Sequence, residues 1–399
     1  MAVVKIIWWV LQILIGYNLI MPFVLYLLSL FGKKKVYPTS INQVDYAIIV
    51  TAYEQTAPLP AVVSSILRVN YSNYLIYVVA DKCDITNLHF DDERVILLRP
   101  PETLANNIKS HFYAINNFVR PHSRVTIIDS DNLVHPEYLN ELNKLFDAGF
   151  TAVQGVREAK NLDTTYACLD GARDIYYHFY DGKLLFNLGS SATLAGSGMA
   201  FTTALYRECL EHKNISGAGF DKVLQSEIVG RNLRIAFTGD AIVYDEKTTR
   251  SDQLVNQRSR WINTWFKYFS LGFVIIGKGI KDFSVNQFLF GFILLRPPLF
   301  IFLLLSIVCM LANVFISITV AFAWLIAFIL FVLGFYIALA KSDTDRRIYQ
   351  SLINIPKFIF YQVISLLKSR TANQRSVATQ HYHTNVTDAN LKSDEDRTI

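Results

Sequence analysis

The sequence of 399 residues has only four cysteines, and no two of them are spaced as Cys-x-x-Cys. Structural zinc sites and disulfide frameworks need clustered cysteines, so we expect neither and interpret these cysteines as reduced thiols. The net charge is a modest +5, and there is no arginine-rich arm or stripe of interleaved basic and aromatic residues. Nucleic acid is therefore not an expected partner.

Charge is missing altogether from two long stretches, residues 6–31 and residues 297–340. At about 20 residues per pass, the first can cross a bilayer once and the second twice, with a turn expected near Asn313. A signal peptide is not expected, because its apolar core would be shorter and a small-residue cleavage site would follow. Together with a hydrophobic content of 52%, this predicts an integral membrane protein.

Basic residues flank both stretches. Lys33, Lys34 and Lys35 follow the first, and residues 341–347 follow the second. Under the positive-inside rule both flanks face the cytoplasm, as in a bacterial inner membrane, and the N-terminus lies outside. For Arg296, next to Pro297, two interpretations stay open: a residue that snorkels to the membrane interface, which we favour, or one that faces a polar pathway.

The region between the two stretches alternates between strand and helix patterns. Strands are expected at 46–50, 75–79, 94–98, 125–128, 152–156, 234–237 and 241–244, and helices at 59–69, 104–119, 163–180 and from Asp221 to about Gly230. The alternation is typical of parallel βαβ units, so we expect an α/β domain. The aromatic face of the helix at 163–180 is interpreted as core packing.

This pattern predicts four parts of the chain. Residues 1–35 form an N-terminal transmembrane helix with its basic flank, and residues 43–265 form the α/β domain. Residues 266–345 comprise an interfacial helix and two transmembrane helices. Residues 346–399 form a cytoplasmic segment, with a second interfacial helix at 355–367 and a polar tail.

Acidic residues end three of the expected strands: Glu54, Asp81, and the pair Asp129 and Asp131. Ligands of parallel sheets gather beyond the carboxyl ends of the strands. Two carboxylates one residue apart suit a hard cation, Mg²⁺ or Mn²⁺, which often shares its oxygen ligands with substrate phosphates. On spacing alone an ordinary acidic turn is the better interpretation, but three acidic strand ends together favour a site for a metal-bound nucleotide.

Three later segments carry residues suited to binding. Residues 189–201 form a small-residue loop, expected to run into a helix, whose glycines allow close approach of the backbone to a ligand. The loop lacks the Gly-Lys-Ser/Thr of a P-loop. Asp221 opens a predicted helix, where an ordinary N-cap is the competing interpretation. Residues 257–261 read Gln-Arg-Ser-Arg-Trp on another helix.

In this order the motifs resemble those of the membrane-embedded inverting glycosyltransferases of family 2, the group of the cellulose, chitin and hyaluronan synthases, over residues 43–265. The matching segments are Asp81, the Asp-x-Asp motif Asp129-Ser130-Asp131, the glycine loop Gly196-Ser197-Gly198, Asp221 as the last residue of a Thr-Glu-Asp motif, and Gln-x-x-Arg-Trp at Gln257, Arg258, Arg260 and Trp261. One departure is that Gly219 and Phe220 stand where the family has Thr-Glu. Residues 376–381, with Thr379 and His381, are similar to a C-terminal gating segment of some members.

The resemblance implies a Rossmann-like GT-A fold and a nucleotide-diphosphate sugar, most often UDP-linked, as donor. It implies that Asp81 contacts the donor. Ala52 and Glu54, at the first strand end, are candidate donor contacts, and for Glu54 a solvated loop residue is an equally good interpretation. Asp131, helped by Asp129, holds the divalent metal. Asp221 is the general base of an inverting reaction that forms β-linkages. The glycine loop and the Gln257–Trp261 motif contact the acceptor and the diphosphate.

Four hypotheses about the function follow from the sequence. The leading hypothesis is a processive polysaccharide synthase, because Gln-x-x-Arg-Trp favours chain extension. The nearest alternative transfers one sugar to a membrane lipid. An inactive scaffold subunit of a secretion complex is a hypothesis of another class, and the intact aspartates argue against it. A pure transporter is disfavoured because most of the chain reads as an α/β domain. Expected partners are a nucleotide sugar, a saccharide or lipid-linked acceptor, the bilayer, and either other export subunits or further copies of the chain.

Overall fold

A computed structural model describes residues 2–32, 36–38, 43–215 and 217–372. Within them, eight strands form one mixed sheet: β1 (Tyr46–Tyr53), β2 (Tyr74–Asp81), β3 (Val95–Leu98), β4 (Arg124–Asp129), β5 (Leu133–Val134), β6 (Ala152–Ala159), β7 (Met199–Thr202) and β8 (Ile235–Asp245). Their order is β3-β2-β1-β4-β7-β6-β8-β5.

Helices α2–α8 belong to the same region as the sheet: α2 (Leu59–Leu67), α3 (Asn107–Asn116), α4 (Tyr138–Asp147), α5 (Thr165–Tyr177), α6 (Leu185–Asn187), α7 (Thr203–Leu210) and α8 (Phe220–Gly230). The other helices are α1 (Ala2–Leu30), α9 (Ser251–Tyr268), α10 (Leu271–Lys281), α11 (Val285–Leu295), α12 (Leu299–Ile316), α13 (Ile318–Ala340), α14 (Arg346–Ser351) and α15 (Ile355–Lys368). Short 3₁₀ turns at Leu352–Asn354 and Ser369–Thr371 follow α14 and α15.

The first half of the sheet follows the sequence expectation. Strands β3, β2, β1 and β4 run parallel, and their apolar side chains pack in a continuous core. The register pairs Thr51 with Asp129 and Tyr53 with Asp81. The carboxyl ends of β1, β2 and β4 therefore meet at one edge of the sheet, as the acidic strand ends predicted.

The second half of the sheet is not made of parallel βαβ units. The segment Met199–Thr202 is strand β7, not the start of a helix, and it runs antiparallel to both β4 and β6. Residues 234–244, expected as two strands, form the single strand β8, which pairs with β6 and antiparallel with the short β5. Strand β7 has only four residues, too few to show the apolar periodicity that is the main signal for strands.

Three of the described helices, α1, α12 and α13, are long and apolar enough to cross a membrane. The turn between the last two lies at Ser317, where the backbone is extended, and the expectation of Asn313 is wrong. Asn313 lies inside α12, where its side-chain amide donates to Cys309 O at 2.7 Å and to Gln12 Oε1 at 2.5 Å. Trp324 Nε1 donates to the same oxygen at 2.9 Å, so Gln12 ties the three helices together.

The segments expected at the membrane surface are helical. Residues 264–281 are divided between the end of α9 and α10, and α10 forms a glycine-packed hairpin with α11. Phe273, Val274 and Ile280 are exposed on α10, as an interfacial helix requires. The helix expected at 355–367 is α15, which packs along α9 and accepts a hydrogen bond from Ser259 Oγ at Ser365 O, at 3.0 Å.

A buried ion pair joins the α/β region to the hairpin of α12 and α13. After Tyr177, α5 continues as a π-helical segment, His178–Leu184. It carries Asp181, whose carboxylate accepts two hydrogen bonds from Arg296, one at 3.0 Å and one from Nη2 to Oδ2. Arg296 is 8% exposed. The favoured interpretation of Arg296 as a snorkelling residue is therefore wrong, because its charge is compensated inside the protein.

The ion pair between Asp181 and Arg296 predicts how single and double substitutions change the stability of the protein. Removing one partner of a buried pair leaves an uncompensated charge and costs about 3–5 kcal/mol, whereas apolar replacement of both is often neutral. We expect Arg296→Leu and Asp181→Leu each to lower the thermal unfolding midpoint of the detergent-solubilised protein strongly, and the double variant to regain most of the loss. The control is Arg347→Leu, at the more exposed pair with Asp345, which costs about 1 kcal/mol or less. Equal losses for Arg296→Leu and Arg347→Leu would contradict the account.

Candidate functional site

The turn Asp129-Ser130-Asp131 is fixed from behind by buried polar groups. The backbone N–H of Asp129 donates to Ser197 Oγ at 3.0 Å. Lys160 Nζ, on a residue only 1% exposed, donates to the carbonyl oxygen of Asp131 at 2.9 Å. Asn132 Nδ2 reaches Asp245 Oδ1 at the end of β8, at 3.1 Å. The two carboxylates therefore sit on a turn whose backbone is held by β6, β8 and the glycine loop.

The carboxylate ligands available here suit a divalent ion that also binds substrate phosphates, rather than an ion enclosed by protein ligands alone. No cluster of three His, Cys, Asp or Glu side chains able to hold a metal occurs among the residues that the structure describes. Asp131 is 8% exposed and Asp129 is half-buried, and both line the same cavity. Two carboxylates leave most positions of an octahedral ion to water and substrate phosphates, which is how Mg²⁺ sites at phosphates are commonly built. The residues present thus fit Mg²⁺ or Mn²⁺ held by Asp129 and Asp131.

A cavity of about 1270 Å³ opens at this edge of the sheet. Eight of the predicted site residues line it: Asp129, Asp131, Gly196, Asp221, Gln257, Arg258, Arg260 and Trp261. It is also lined by apolar side chains of the two helices able to cross a membrane, Phe300, Leu303 and Ile307 of α12 and Phe331 and Phe335 of α13. One cavity therefore joins the acidic strand ends to an apolar region beside the membrane segments.

Five predicted residues do not line that cavity: Ala52, Glu54, Asp81, Ser197 and Gly198. Ala52 and Ser197 are buried in the packing beneath it, and Gly198 adopts a positive φ of 65° with Val243 close to where a Cβ would be. Asp81 is 2% exposed, and its carboxylate accepts from the backbone N–H groups of Leu104 and Ala105 at 2.9 and 2.7 Å. In this structure Asp81 holds the loop before α3, and its contact with a donor stays a prediction.

Glu54 lies at the same edge, where its carboxylate pairs with Lys82 Nζ at 2.7 Å. This hydrogen bond lowers the pKa of Glu54. Its role as a donor contact also stays a prediction. Thr379 and His381, the candidate gating residues, lie outside the described residues.

Asp221 lines the cavity from the first turn of α8. The N-cap of α8 is Gly219, so the alternative that Asp221 is merely the cap is wrong. Gly219 has φ 100°, and a Cβ there would lie 2.4 Å from Thr264 Cγ2 on α9. This explains why Gly219 stands where the family has Thr, because a residue with a side chain would be strained and would collide with α9. Nothing in the structure explains Phe220 in place of Glu. The carboxylate of Asp221 lies 3.3 Å from Lys222 Nζ, and its role as the general base stays a prediction.

A charged network that the sequence analysis missed forms one wall of the cavity. Asp170, Arg173 and Asp174 lie on one face of α5 and line the cavity, as do Arg157 and Lys247 at the ends of β6 and β8. Lys247 Nζ donates to Asp174 at 2.6 Å and to Asp245 at 2.8 Å. Arg173 Nη2 lies 3.1 Å from Asp170. The available signal in the sequence is the helical spacing of these charged residues, i, i+3 and i+4, on α5.

Burial and neighbouring charges act on these cations in opposite directions. Burial, together with the nearby Arg173, lowers the pKa of Arg258 to about 10. Burial alone would also lower the pKa of Arg157, but the carboxylates of Asp245, Asp174 and Asp129 raise it above its ordinary value. Both guanidinium groups are therefore charged at neutral pH.

Several buried guanidinium nitrogens have no hydrogen-bond partner within the described part of the chain: Arg157 Nε, Arg173 Nε, and Arg258 Nε and Nη1. A buried donor without a partner costs about 1–3 kcal/mol, and more when it is charged. Anionic oxygens arriving in the cavity would supply the missing acceptors, and guanidinium groups match phosphate geometry well. The arrangement therefore suits a ligand with phosphate groups.

The side chains of the Gln-x-x-Arg-Trp motif are engaged with this network. Arg258 hydrogen bonds to Asp170, and its guanidinium lies 4.0 Å from the ring centroid of Trp261. Arg173 lies 4.4 Å from the same ring. Guanidinium groups therefore cover part of the Trp261 ring, and the contact of this motif with an acceptor stays a prediction.

Comparisons with known proteins agree with this geometry. The model of the family described as "Glycosyltransferase like family 2" matches residues 43–264. No curated protein sequence matches the chain. Among solved structures, the mannosyltransferase PcManGT from Pyrobaculum calidifontis, in complex with GDP-Man and Mn²⁺, is similar with a TM-score of 0.58 at 15% identity, covering 90% of this chain and 98% of that one.

A second solved structure, S. aureus TarS 1–349 in complex with UDP-GlcNAc, has a TM-score of 0.43 at 14% identity, covering 83% of this chain and 91% of that one. The likeness to PcManGT shows a shared GT-A fold, and the family model covers more than half of the chain. The chain therefore belongs to glycosyltransferase-like family 2, and it is a glycosyltransferase with a GT-A fold flanked by helices able to cross a membrane.

Proposed function

We propose that the protein transfers a sugar from a nucleotide-diphosphate donor to an acceptor carried by a membrane lipid. The observation that carries this proposal is the single cavity that is lined both by Asp129, Asp131 and Asp221 and by apolar side chains of α12 and α13. A water-soluble acceptor would gain nothing from that apolar wall. A lipid-linked acceptor could bury its chain there while its sugar-accepting end reaches the carboxylates.

At the donor end, Asp129 and Asp131 would hold Mg²⁺ or Mn²⁺. The bound ion would stabilise the negative charge of the departing diphosphate. PcManGT, which shares the fold, is described with GDP-Man and Mn²⁺. For this chain we propose a UDP-sugar, as the sequence resemblance implies, with a GDP-sugar as the tested alternative. Arg260, which lines the cavity, would place fixed positive charge near the diphosphate.

Asp221 would act as the general base. It would take the proton from the acceptor hydroxyl as that oxygen attacks the anomeric carbon of the donor. Attack from the face opposite the diphosphate inverts the anomeric centre, so an α-linked donor gives a β-glycoside. The position of Asp221 on the first turn of α8, in the same cavity as Asp129 and Asp131, supports this role.

The second candidate function is extension of a polysaccharide. The complete Gln-x-x-Arg-Trp motif at residues 257–261 favours it, because the resembling synthases elongate chains. In both functions the donor site faces the cytoplasm, as the basic flanks of the spanning segments indicate. The two differ in their product: a single glycosylated lipid in the first, a ladder of lengths in the second.

The activity is tested by incubating membranes with radiolabelled UDP- and GDP-sugars, with and without EDTA. We expect one organic-soluble product from one donor, lost on chelation. Asp221→Asn should reduce its rate by about 10²–10⁴-fold, the usual contribution of a general base. Asp240→Asn, the same change at an exposed aspartate of β8, is the control and should leave the rate unchanged.

Three outcomes of this assay bear on the proposal. A ladder of product lengths would favour the polysaccharide function, and EDTA-insensitive transfer would contradict the metal role. The absence of turnover with every donor would contradict the proposal.

The apolar wall is tested on neighbouring residues of α12. Ile307 lines the cavity, whereas Val308 does not, and both are substantially exposed. We expect Ile307→Trp to fill acceptor space and raise the KM for the lipid acceptor by about tenfold, since crowding of this kind costs about 1–3 kcal/mol. Slow hydrolysis of the donor should not change. Val308→Trp adds the same bulk elsewhere, so equal effects of the two variants would contradict a lipid-binding wall.

A further inference from the structure

Guanidinium groups and aromatic rings alternate along one side of the cavity. We call this row the arginine ladder; its members are Arg258, Trp261, Arg173, Tyr177 and Arg296. The distances from guanidinium carbon to ring centroid along it are 4.0, 4.4, 5.8 and 5.3 Å. All five side chains line the cavity. The ladder therefore forms a continuous row of guanidinium groups and rings from the α9 motif to the start of α12.

The acidic partners of the ladder hold it in place without saturating it. Asp170 accepts a hydrogen bond from Arg258 and lies beside Arg173, which donates to Asp174 at 2.5 Å. Asp181 accepts two hydrogen bonds from Arg296. Each guanidinium has five N–H donors. Arg173 Nε and Arg258 Nε and Nη1 are buried with no partner inside the described chain. The ladder thus keeps fixed donors ready for oxygens that come from a ligand.

The far end of the ladder passes directly into the apolar wall. Arg296 is followed by Pro297, Pro298 and Leu299, where α12 begins, and Leu299, Phe300 and Leu303 line the cavity beyond it. A ligand that fits both surfaces carries anionic oxygens next to a long apolar chain. The metal-bound diphosphate of a nucleotide sugar has no such chain, and the carboxylates proposed to hold its metal lie at the end of β4.

We infer that the arginine ladder binds a phosphate or diphosphate group that joins the acceptor to its lipid. This inference rests on the proposed function and names its acceptor class, a long-chain lipid phosphate. Guanidinium groups bind phosphate through paired, charge-assisted hydrogen bonds, which are stronger than those to neutral groups. Tyr177 and Trp261 occupy the spaces between the cations and keep them partly out of water. The headgroup would thereby be anchored while the chain runs along α12 and α13.

The test measures binding of three probes to the purified full-length chain in nanodiscs. They are a long-chain prenyl phosphate, the prenyl alcohol of equal length, and free inorganic pyrophosphate. We expect the lipid phosphate to bind at least about tenfold more tightly than the alcohol, a difference of about 1.4 kcal/mol. Arg173→Lys keeps the charge but loses the Nε donor, and it should remove most of that difference. The control Arg207→Lys, at an arginine paired with Glu211 on α7, should preserve it.

Two outcomes would overturn the inference. Equal affinity for the lipid phosphate and the lipid alcohol would show that the ladder does not bind the phosphate group. The proposed function would still stand in that case if sugar is transferred to the alcohol. Equal affinity for free pyrophosphate and lipid phosphate, with both lost in Arg173→Lys, would assign the ladder to the donor diphosphate instead. Arg258→Lys is measured in parallel, and the thermal unfolding midpoint of each variant is recorded. If Arg173→Lys is misfolded, the test is decided on Arg258→Lys.

Discussion

Compensation of buried charge on α5 is the constraint on which the site depends. Asp170 and Asp174 are almost fully buried, and ionised carboxylates in such surroundings are costly unless they are paired and hydrogen-bonded. Their partners come from three other elements: Lys247 after β8, Arg157 on β6 and Arg258 on α9. The pairing fixes the positions of these elements relative to one another. Because it leaves guanidinium donors unused, it also prepares the cavity for an anionic ligand.

The same principle joins the α/β region to the membrane helices. The π-helical continuation of α5 turns Asp181 toward Arg296, and Tyr180 Oη donates to the carbonyl oxygen of Gly334 on α13 at 2.8 Å. π-Helical turns often occur at functional sites. Here the turn lets a single helix carry carboxylates for both the arginine network and the membrane junction. The catalytic region and the hairpin thus share one wall, which is why the cavity can extend from the metal carboxylates to apolar helix surfaces.

The sequence predicted the parts of the fold that depend on local patterns. The parallel strands β1 to β4, the meeting of their acidic ends and the three spanning helices all follow from apolar periodicity and the absence of charge. The Asp-x-Asp, Asp221 and Gln-x-x-Arg-Trp motifs share one cavity, as expected. The sequence could not reveal the partners of α5, since Asp170 meets Arg258 across 88 positions. It likewise misplaced Arg296, because whether a membrane-flanking arginine snorkels or pairs depends on a distant residue, Asp181.

The central claim is that one cavity holds a nucleotide diphosphate at one end and a lipid chain at the other. Its most direct test is an electron cryo-microscopy structure of the protein in lipid nanodiscs with Mn²⁺, UDP or GDP, and a long-chain prenyl phosphate. The account predicts a metal between Asp131 and the diphosphate, and continuous lipid density beside Leu303 and Phe331. Lipid density confined to the outer surfaces of α12 and α13, with a nucleotide bound away from Asp129 and Asp131, would contradict it.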